Sequence, residues 1–366
     1  MGDVACVDLF CGAGGLTHGL ILEGIKVVAG IDVDEACRYP FETNNAALFL
    51  KEDVGRVSPS RINKLFRGAD VRVLAGCAPC QPFSTYAQRY DVVGSARWGL
   101  LYRFARLIKT IRPELVTMEN VPAVTQHSVF DDFVKALMKL GYWVYQDIVD
   151  CTLYGLPQSR RRMVLLASLI GPIELIGPTH ERPATVRGAI GKLPSIRQGA
   201  AHAKDPLHSA SMLSDLNFKR IRASRPGGTW RDWPRHLVAE CHRRETGYTY
   251  PGVYGRMVWD EPAPTLTTQF YGFGNGRFGH PEQDRAISLR EGAILQGFPP
   301  SYSFVPEGDP IHFKALGRMI GNAVPVTLGK VIGQSISAHL GIKPGKTNSM
   351  GKKGGIADVA RKPLVA

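Results

Sequence analysis

Short apolar runs alternate with turns and amphipathic stretches through the first half of the chain. Val4 to Phe10 reads as a buried strand. It runs into a glycine-rich turn and then a helical stretch with Leu16, Leu20 and Ile21 on one face. Lys26 to Ile31 reads as a second strand, ending at Asp32-Val33-Asp34, and Val71 to Ala75 as a third. Leu100 to Ile111 has helical periodicity and is stopped by Pro113. Leu115 to Met118 is a buried strand, Phe130 to Leu140 a helix, and Tyr142 to Val149 and Met163 to Ser168 are strands. This alternation predicts an α/β fold with an open sheet.

From Gly171 to about Tyr254 the alternation is lost. Prolines, glycines, arginines and aromatics interleave, as in Pro226-Gly227-Gly228-Thr229-Trp230 and Trp233, which marks a second domain. Order returns near Arg256. Ser288-Leu289-Arg290-Glu291 is a capping box opening a helix that carries Leu295 and Gln296, and a last helix spans about Val326 to Leu340. The expected division is 1–170, 171–255, 256–342 and a disordered Gly- and Lys-rich tail, 343–366.

Charge sharpens this division. The net charge is +13 over 366 residues, and it is concentrated. Residues 181–250 hold thirteen Lys or Arg against six Asp or Glu, and residues 341–366 hold six against one. A concentrated basic segment is the footprint of a polyanionic partner. Seven cysteines without regular spacing argue against a disulfide scaffold and fit a reducing compartment. No apolar run reaches membrane-spanning length, and Met1-Gly2-Asp3 opens no signal-peptide pattern. The expected address is the cytoplasm, on the nucleoid in a bacterium, with no membrane partner.

The chemistry gathers at strand ends. Gly76-Cys77-Ala78-Pro79-Cys80-Gln81-Pro82-Phe83-Ser84 follows the Val71 strand, and Pro79 and Pro82 stiffen the turn that presents Cys80, a candidate nucleophile. Cys77 and Cys80 form a C-x-x-C, but no second ligand pair accompanies it as a structural zinc requires. A dithiol oxidoreductase would place the pair at a helix start. Asp32 stands where a ribose is gripped in dinucleotide-type folds, or caps the helix starting near Glu35. Asp53 could meet an adenine amino group or sit in a surface turn. Glu119 ends an apolar strand, which is costly without work or a partner. Arg160 and Arg162 share a face if a strand has begun there, Arg161 pointing away; the bland alternative is a basic sheet edge. A thiolate, an acid, paired arginines, an adenosine-type cofactor and a polyanion together suit addition of sulfur to cytosine C6, which makes C5 nucleophilic towards an electrophilic methyl group.

On these residues the chain resembles the DNA cytosine-C5 methyltransferases. Asp8-Leu9-Phe10-Cys11-Gly12-Ala13-Gly14-Gly15 resembles their S-adenosylmethionine turn and Pro79-Cys80-Gln81-Pro82-Phe83-Ser84 their nucleophile loop. Glu119-Asn120-Val121 is similar to the acid motif, Gln158-x-Arg160-x-Arg162 to the arginine motif, and Gly321-Asn322-Ala323-Val324-Pro325 to the last motif. The resemblance implies a class I S-adenosylmethionine-dependent methyltransferase fold, Rossmann-like and mostly parallel, with helices on both faces and a smaller irregular target-recognition domain. It implies catalytic roles for Cys80, Glu119, Arg160 and Arg162. It implies cofactor contacts from Phe10, Ala13, Gly14, Gly15, Asp32, Val33, Asp53, Val54, Pro79, Leu100, Asn322 and Ala323. Substrate contacts would come from Gln81, Ser84, Arg97 and Asn120, and from Arg222, Arg225 and Arg231 in the basic segment. No metal is implied. The substrate would be double-stranded DNA, the cytosine being flipped out because C6 is unreachable in the stack.

Val33 departs from members with a Trp there that stacks on adenine. The chain is expected to act as a monomer, and a cognate restriction endonuclease acting on the same site is a compatible partner. Two alternatives stay open: a tRNA cytosine-C5 methyltransferase with the same motifs, and a catalytically idle DNA-binding member of the fold.

Overall fold

The computed structural model describes residues 3–79, 99–244 and 247–342. Seven strands form one sheet: β1 (Val4–Leu9), β2 (Lys26–Asp32), β3 (Leu48–Lys51), β4 (Val71–Gly76), β5 (Leu115–Asn120), β6 (Trp143–Asp150) and β7 (Arg161–Ser168). Their order is β3-β2-β1-β4-β5-β7-β6. β1 pairs in parallel with β2 and β4, β2 with β3, and β4 with β5. β7 lies antiparallel between β5 and β6. The winding reverses between β1 and β4. In open sheets of this kind ligands enter the crevice at that reversal, beyond the carboxyl ends of the strands.

The helices are α1 (Gly15–Leu22), α2 (Arg38–Asn45), α3 (Pro59–Leu65), α4 (Gly99–Ile111), α5 (Ser128–Lys139), α6 (Val186–Ile190), α7 (Asp215–Ala223), α8 (Glu240–Arg243), α9 (Leu289–Leu295), α10 (Phe313–Asn322) and α11 (Val326–His339). Leu101, Phe104, Ile108 and Ile111 recur at helical spacing along α4 and join the core beneath α3, α4 and α5 on one face of the sheet. On the other face Leu16 and Leu20 of α1 share a core with Leu328, Ile332 and Ile336 of α11 and with α9 and α10. No described helix is long and apolar enough to cross a membrane.

The strands and helices expected from periodicity form, their ends shifted by at most two residues. The basic-edge reading of residues 158–162 does not hold. β6 occupies the edge, and β7 is paired on both sides. Residues 171–255 carry only short elements, among them α6, α7, α8 and a hairpin, β8 (Ala201–His202) with β9 (Asp205–Ser209). Ile173, Val186, Ile190 and Leu207 join the core shared with α1, α9, α10 and α11, whereas Leu213, Ile221, Trp230, Trp233 and Leu237 form a separate cluster with Phe273. Arg220 and Arg256 are buried beside it. Arg220 donates to the Leu237 carbonyl at 2.8 Å, and Arg256 donates to the carbonyls of Ile221, Ser224, His280 and Gln283. Part of the basic charge is therefore internal scaffolding.

The first and last described helices meet where α11 crosses α1. A Cβ on Gly19 would stand 2.5 Å from the Val326 carbonyl oxygen and 2.6 Å from Gly329 Cα. The obstacle is backbone, which cannot swing aside as a side chain would. Gly19→Ala is expected to lower the unfolding free energy by about 1–3 kcal/mol, the usual cost of an extra methyl group in a packed core. Gly177→Ala, where a Cβ meets nothing within 4 Å, is the control. Urea midpoints compare them, and equal midpoints for Gly19→Ala and the parent chain would contradict the close crossing.

Candidate active site

Glu119 stands at the carboxyl end of β5 and is 2% exposed. A carboxylate at that depth needs a partner to stay charged. Arg162, one residue into β7, supplies it, with Nε 2.9 Å from Glu119 Oε1. The antiparallel placement of β7 against β5 makes this possible, since Asn120 pairs with Met163 in the register. The Cys77 thiol, just past β4, donates to the other oxygen, Oε2, at 2.8 Å. Asn120 Nδ2 donates to the Ala78 carbonyl at 3.2 Å and so ties the end of β5 to the same segment. Arg161 is exposed, while Arg160 and Arg162 turn inward, as the shared-face reading expects.

Arg160 is 3% exposed and reaches a different set of groups. Its guanidinium donates to Gln158 Oε1 and the Leu266 carbonyl at 3.3 Å, and to the Gly321 and Ala323 carbonyls at 3.4 and 3.5 Å. Gln158 is wholly buried. Its Nε2 donates to the Leu295 carbonyl at 3.0 Å and to Gln296 Oε1 at 2.8 Å, and its Oε1 accepts from the Leu266 amide at 3.0 Å. The segment before β7 is thereby bound to α9, to residues 263–266 and to the α10–α11 junction.

The glycine-rich turn lies beyond β1. Phe10 opens it with φ at 60°, a left-handed conformation unusual for a non-glycine residue. Asp32 Oδ2 accepts the Gly12 amide and Oδ1 the Asp34 amide, each at 2.9 Å. The N-cap of the 3₁₀ turn at Glu35 is Asp34, not Asp32, so the capping alternative is corrected: Asp32 holds the turn instead. Val33 is 62% exposed. Asp53 Oδ1 accepts the Gly55 amide at 2.8 Å, beside buried Val54, in a turn after β3. Pro79 follows β4, Leu100 lies in the first turn of α4, and Asn322, exposed, ends α10 before Ala323; Ala13, Gly14 and Gly15 are buried. Cys80, Gln81, Ser84 and Arg97 fall outside the described residues, as does the tail 343–366.

Arg222, Arg225 and Arg231 are exposed. Arg222 is 3.9 Å from Asp284 and Arg225 3.4 Å from Asp232. Arg231 is more constrained. Its guanidinium lies 4.2 Å from the Tyr248 ring centroid and 5.4 Å from that of Trp230, and it donates to the Tyr248 carbonyl.

Sequence gives Cys77 only as half of a C-x-x-C, and Asp8 and Gln158 only as parts of motifs; their contacts come from the structure. Gln158 and Gln296 are distant in sequence, and nothing local pairs them. Asp8 is a charged residue inside an apolar strand, as Glu119 is. It is 1% exposed; Oδ2 accepts from Thr17 Oγ1 at 2.7 Å, and Oδ1 has no hydrogen-bond partner among the described residues. Burial pushes its carboxyl up to about 7, the Thr17 hydrogen bond opposing and nearby Asp32 adding to the rise.

The family profile described as C-5 cytosine-specific DNA methylase matches residues 4–338. The Type II methylase M.HgiDII of Herpetosiphon aurantiacus is 52% identical over 341 residues, 92% of this chain and 96% of that protein. The Type II methyltransferase M.Eco47II of Escherichia coli is 30% identical over 342 residues, 91% of this chain and 78% of that one. Among solved structures, the methyltransferase EhMeth of Entamoeba histolytica matches with a TM-score of 0.66 at 15% identity, covering 93% of this chain and 99% of its own.

Asp8 generates a prediction. The unfolded carboxyl titrates near about 4, whereas the folded one holds its proton up to about 7. The folded chain therefore binds the extra proton, so this stabilisation is present below about pH 4 and is lost as pH rises towards 7. Asp8→Asn removes the titration. Urea unfolding at pH 5 and pH 8 is expected to show the variant gaining stability relative to the parent chain at the higher pH; a constant difference would mean Asp8 does not titrate there.

Proposed function

The chain belongs to the C-5 cytosine-specific DNA methylase family, and from that premise we propose that it transfers a methyl group from S-adenosylmethionine to C5 of cytosine within one short sequence of double-stranded DNA. The observation that carries this reading is the meeting of Glu119, Arg162 and Cys77 at one point of the sheet's carboxyl edge, three positions before Cys80.

The residues around the glycine-rich turn fit the cofactor. Asp8 and Asp32 lie at or beneath the turn, and among the described residues no cation pairs with either. An acid at the end of β2 suits the hydroxyl pair of a ribose, which a sulfonium ligand of the adenosine type carries. Phe10, Ala13, Gly14, Gly15, Asp32, Val33, Asp53, Val54, Pro79, Leu100, Asn322 and Ala323 would hold it. When bound, it supplies an electrophilic methyl carbon.

The chain's own groups would do the rest. The Cys80 thiolate adds to C6 of a flipped cytosine, and the electron pair displaced from the C5–C6 bond makes C5 nucleophilic. Glu119 contacts N3 and the exocyclic amine, stabilising the charge that develops on the ring. Arg162 holds Glu119 in place, and Arg160 fixes the segment from which Arg162 starts. After C5 has been methylated, loss of its proton expels the Cys80 sulfur and restores the aromatic ring. Gln81, Ser84, Arg97 and Asn120 would line the base. Residues 1–170 and 256–342 would form the catalytic domain, and residues 171–255 would recognise the target. There Arg222, Arg225 and Arg231 face DNA, mostly its phosphates.

The names of the relatives favour DNA over tRNA. They also fit a restriction–modification setting, a cytoplasmic, nucleoid-associated address and a cognate endonuclease. The test is expression in a host without cytosine methylation, followed by bisulfite sequencing of its DNA. Protected cytosines in one short motif are expected from the parent chain and none from Cys80→Ala; equal protection by the variant would overturn the mechanism. Glu119→Gln is expected to lower turnover by about 10²–10⁴-fold, the range for a positioned acid.

A further inference from the structure

The segment between α9 and α10 reaches back to the glycine-rich turn through a single hydroxyl. Tyr302 Oη donates to the Ala13 carbonyl at 2.5 Å, across 289 positions of sequence. The direction of that proton is settled by its neighbour. Asn45 Nδ2 donates to Tyr302 Oη at 3.1 Å and to the Phe41 carbonyl at 2.8 Å, while Asn45 Oδ1 meets His18 Nδ1 at 2.9 Å. With a donor already pointing at the phenol oxygen, its own hydrogen goes to Ala13. The Tyr302 ring, 1% exposed, is wedged against Phe298 and Phe304 with centroids 4.7 and 5.1 Å away.

Tyr302 is also held from behind. Its carbonyl accepts from Arg290 Nη1 at 2.8 Å, and Arg290 grips Asp205 of β9 with Nε and Nη2 at 2.7 and 3.0 Å. A line of polar contacts thus runs from the β8–β9 hairpin, through α9, to the turn beyond β1. The turn needs such a hold. Gly12 and Gly14 have φ of +51° and +87°, so glycines flank Ala13 and its peptide planes meet little steric resistance to rotation. The orientation of these planes decides where the first amides of α1, which have no acceptors within the helix, are aimed.

We propose that Tyr302 is a positioning residue for the cofactor turn: its hydroxyl fixes the Ala13 carbonyl, and Arg290 fixes Tyr302 from the 201–209 hairpin. The inference rests on the reading that this turn receives S-adenosylmethionine. It makes cofactor affinity depend on a contact made outside the first 170 residues.

Calorimetric titration with S-adenosylhomocysteine tests it, with affinity for a non-specific DNA duplex measured alongside. Tyr302→Phe keeps the ring and removes the hydroxyl. Its affinity for S-adenosylhomocysteine is expected to fall about tenfold, the scale of one lost buried hydrogen bond, with duplex affinity unchanged. Arg290→Lys loses the two-pronged grip on Asp205 and is expected to weaken S-adenosylhomocysteine less, again sparing the duplex. Unchanged S-adenosylhomocysteine affinity in Tyr302→Phe overturns the proposal, as does parallel weakening of both ligands, which is the signature of general loosening. Should Tyr302→Phe fail to fold, unchanged affinity in Arg290→Lys overturns it. A parent chain that does not bind S-adenosylhomocysteine removes the cofactor reading of the turn, and this inference with it.

Discussion

A carboxylate cannot remain charged inside an apolar sheet unless a cation and hydrogen-bond donors are brought to it, and at Glu119 that requirement organises much of the molecule. The cation comes from Arg162, which can reach β5 because β7 runs antiparallel beside it. β7 in turn must start at a fixed place. Its approach is pinned by Gln158 and Arg160, whose hydrogen bonds reach residues 266, 295, 296, 321 and 323. The acid, the segment leading into Cys80 and the C-terminal third of the chain are therefore parts of one hydrogen-bonded assembly. Breaking a buried pair of this kind leaves an uncompensated charge and costs about 3–5 kcal/mol.

The second organising contact is steric. The helix after the glycine-rich turn and the last helix approach at glycine, with Gly19 facing Val326 and Gly329. This brings the 321–325 segment, adjacent in space to Gly15, against the turn. Tyr302 arrives at the same turn from a third part of the sequence. The turn beyond β1 is thus met by residues 302 and 321–325 from late in the chain, and residues 171–255 stand in sequence between the strands that carry Glu119 and Arg162 and the helices that pack on α1.

The basic charge divides by location. Arg220, Arg256 and Arg285 point inward; Arg285 forms a fully buried pair with Glu291 that completes the N-terminal cap of α9. Arg222, Arg225 and Arg231 remain on the surface. Net charge alone overstates the surface available to a polyanion, because a guanidinium can spend its five donors on carbonyls inside the protein.

The α/β alternation, the ends of the long elements to within two residues, the capping box at Ser288 and the positions of Glu119, Arg160 and Arg162 were legible in the sequence, because each rests on local periodicity or on a charge set against an apolar run. β3 and α3 are short and weakly patterned and are not among the expected elements; nor is α10, although its buried Leu316, Met319 and Ile320 recur on one face. The partners of Glu119, the amide pair of Gln158 with Gln296, the hold of Tyr302 on Ala13 and the inward turn of Arg220 and Arg256 were decided by the tertiary structure. Each joins residues with no periodic relation to one another, and only the folded arrangement of the sheet and its returning C-terminal helices brings a donor to each acceptor.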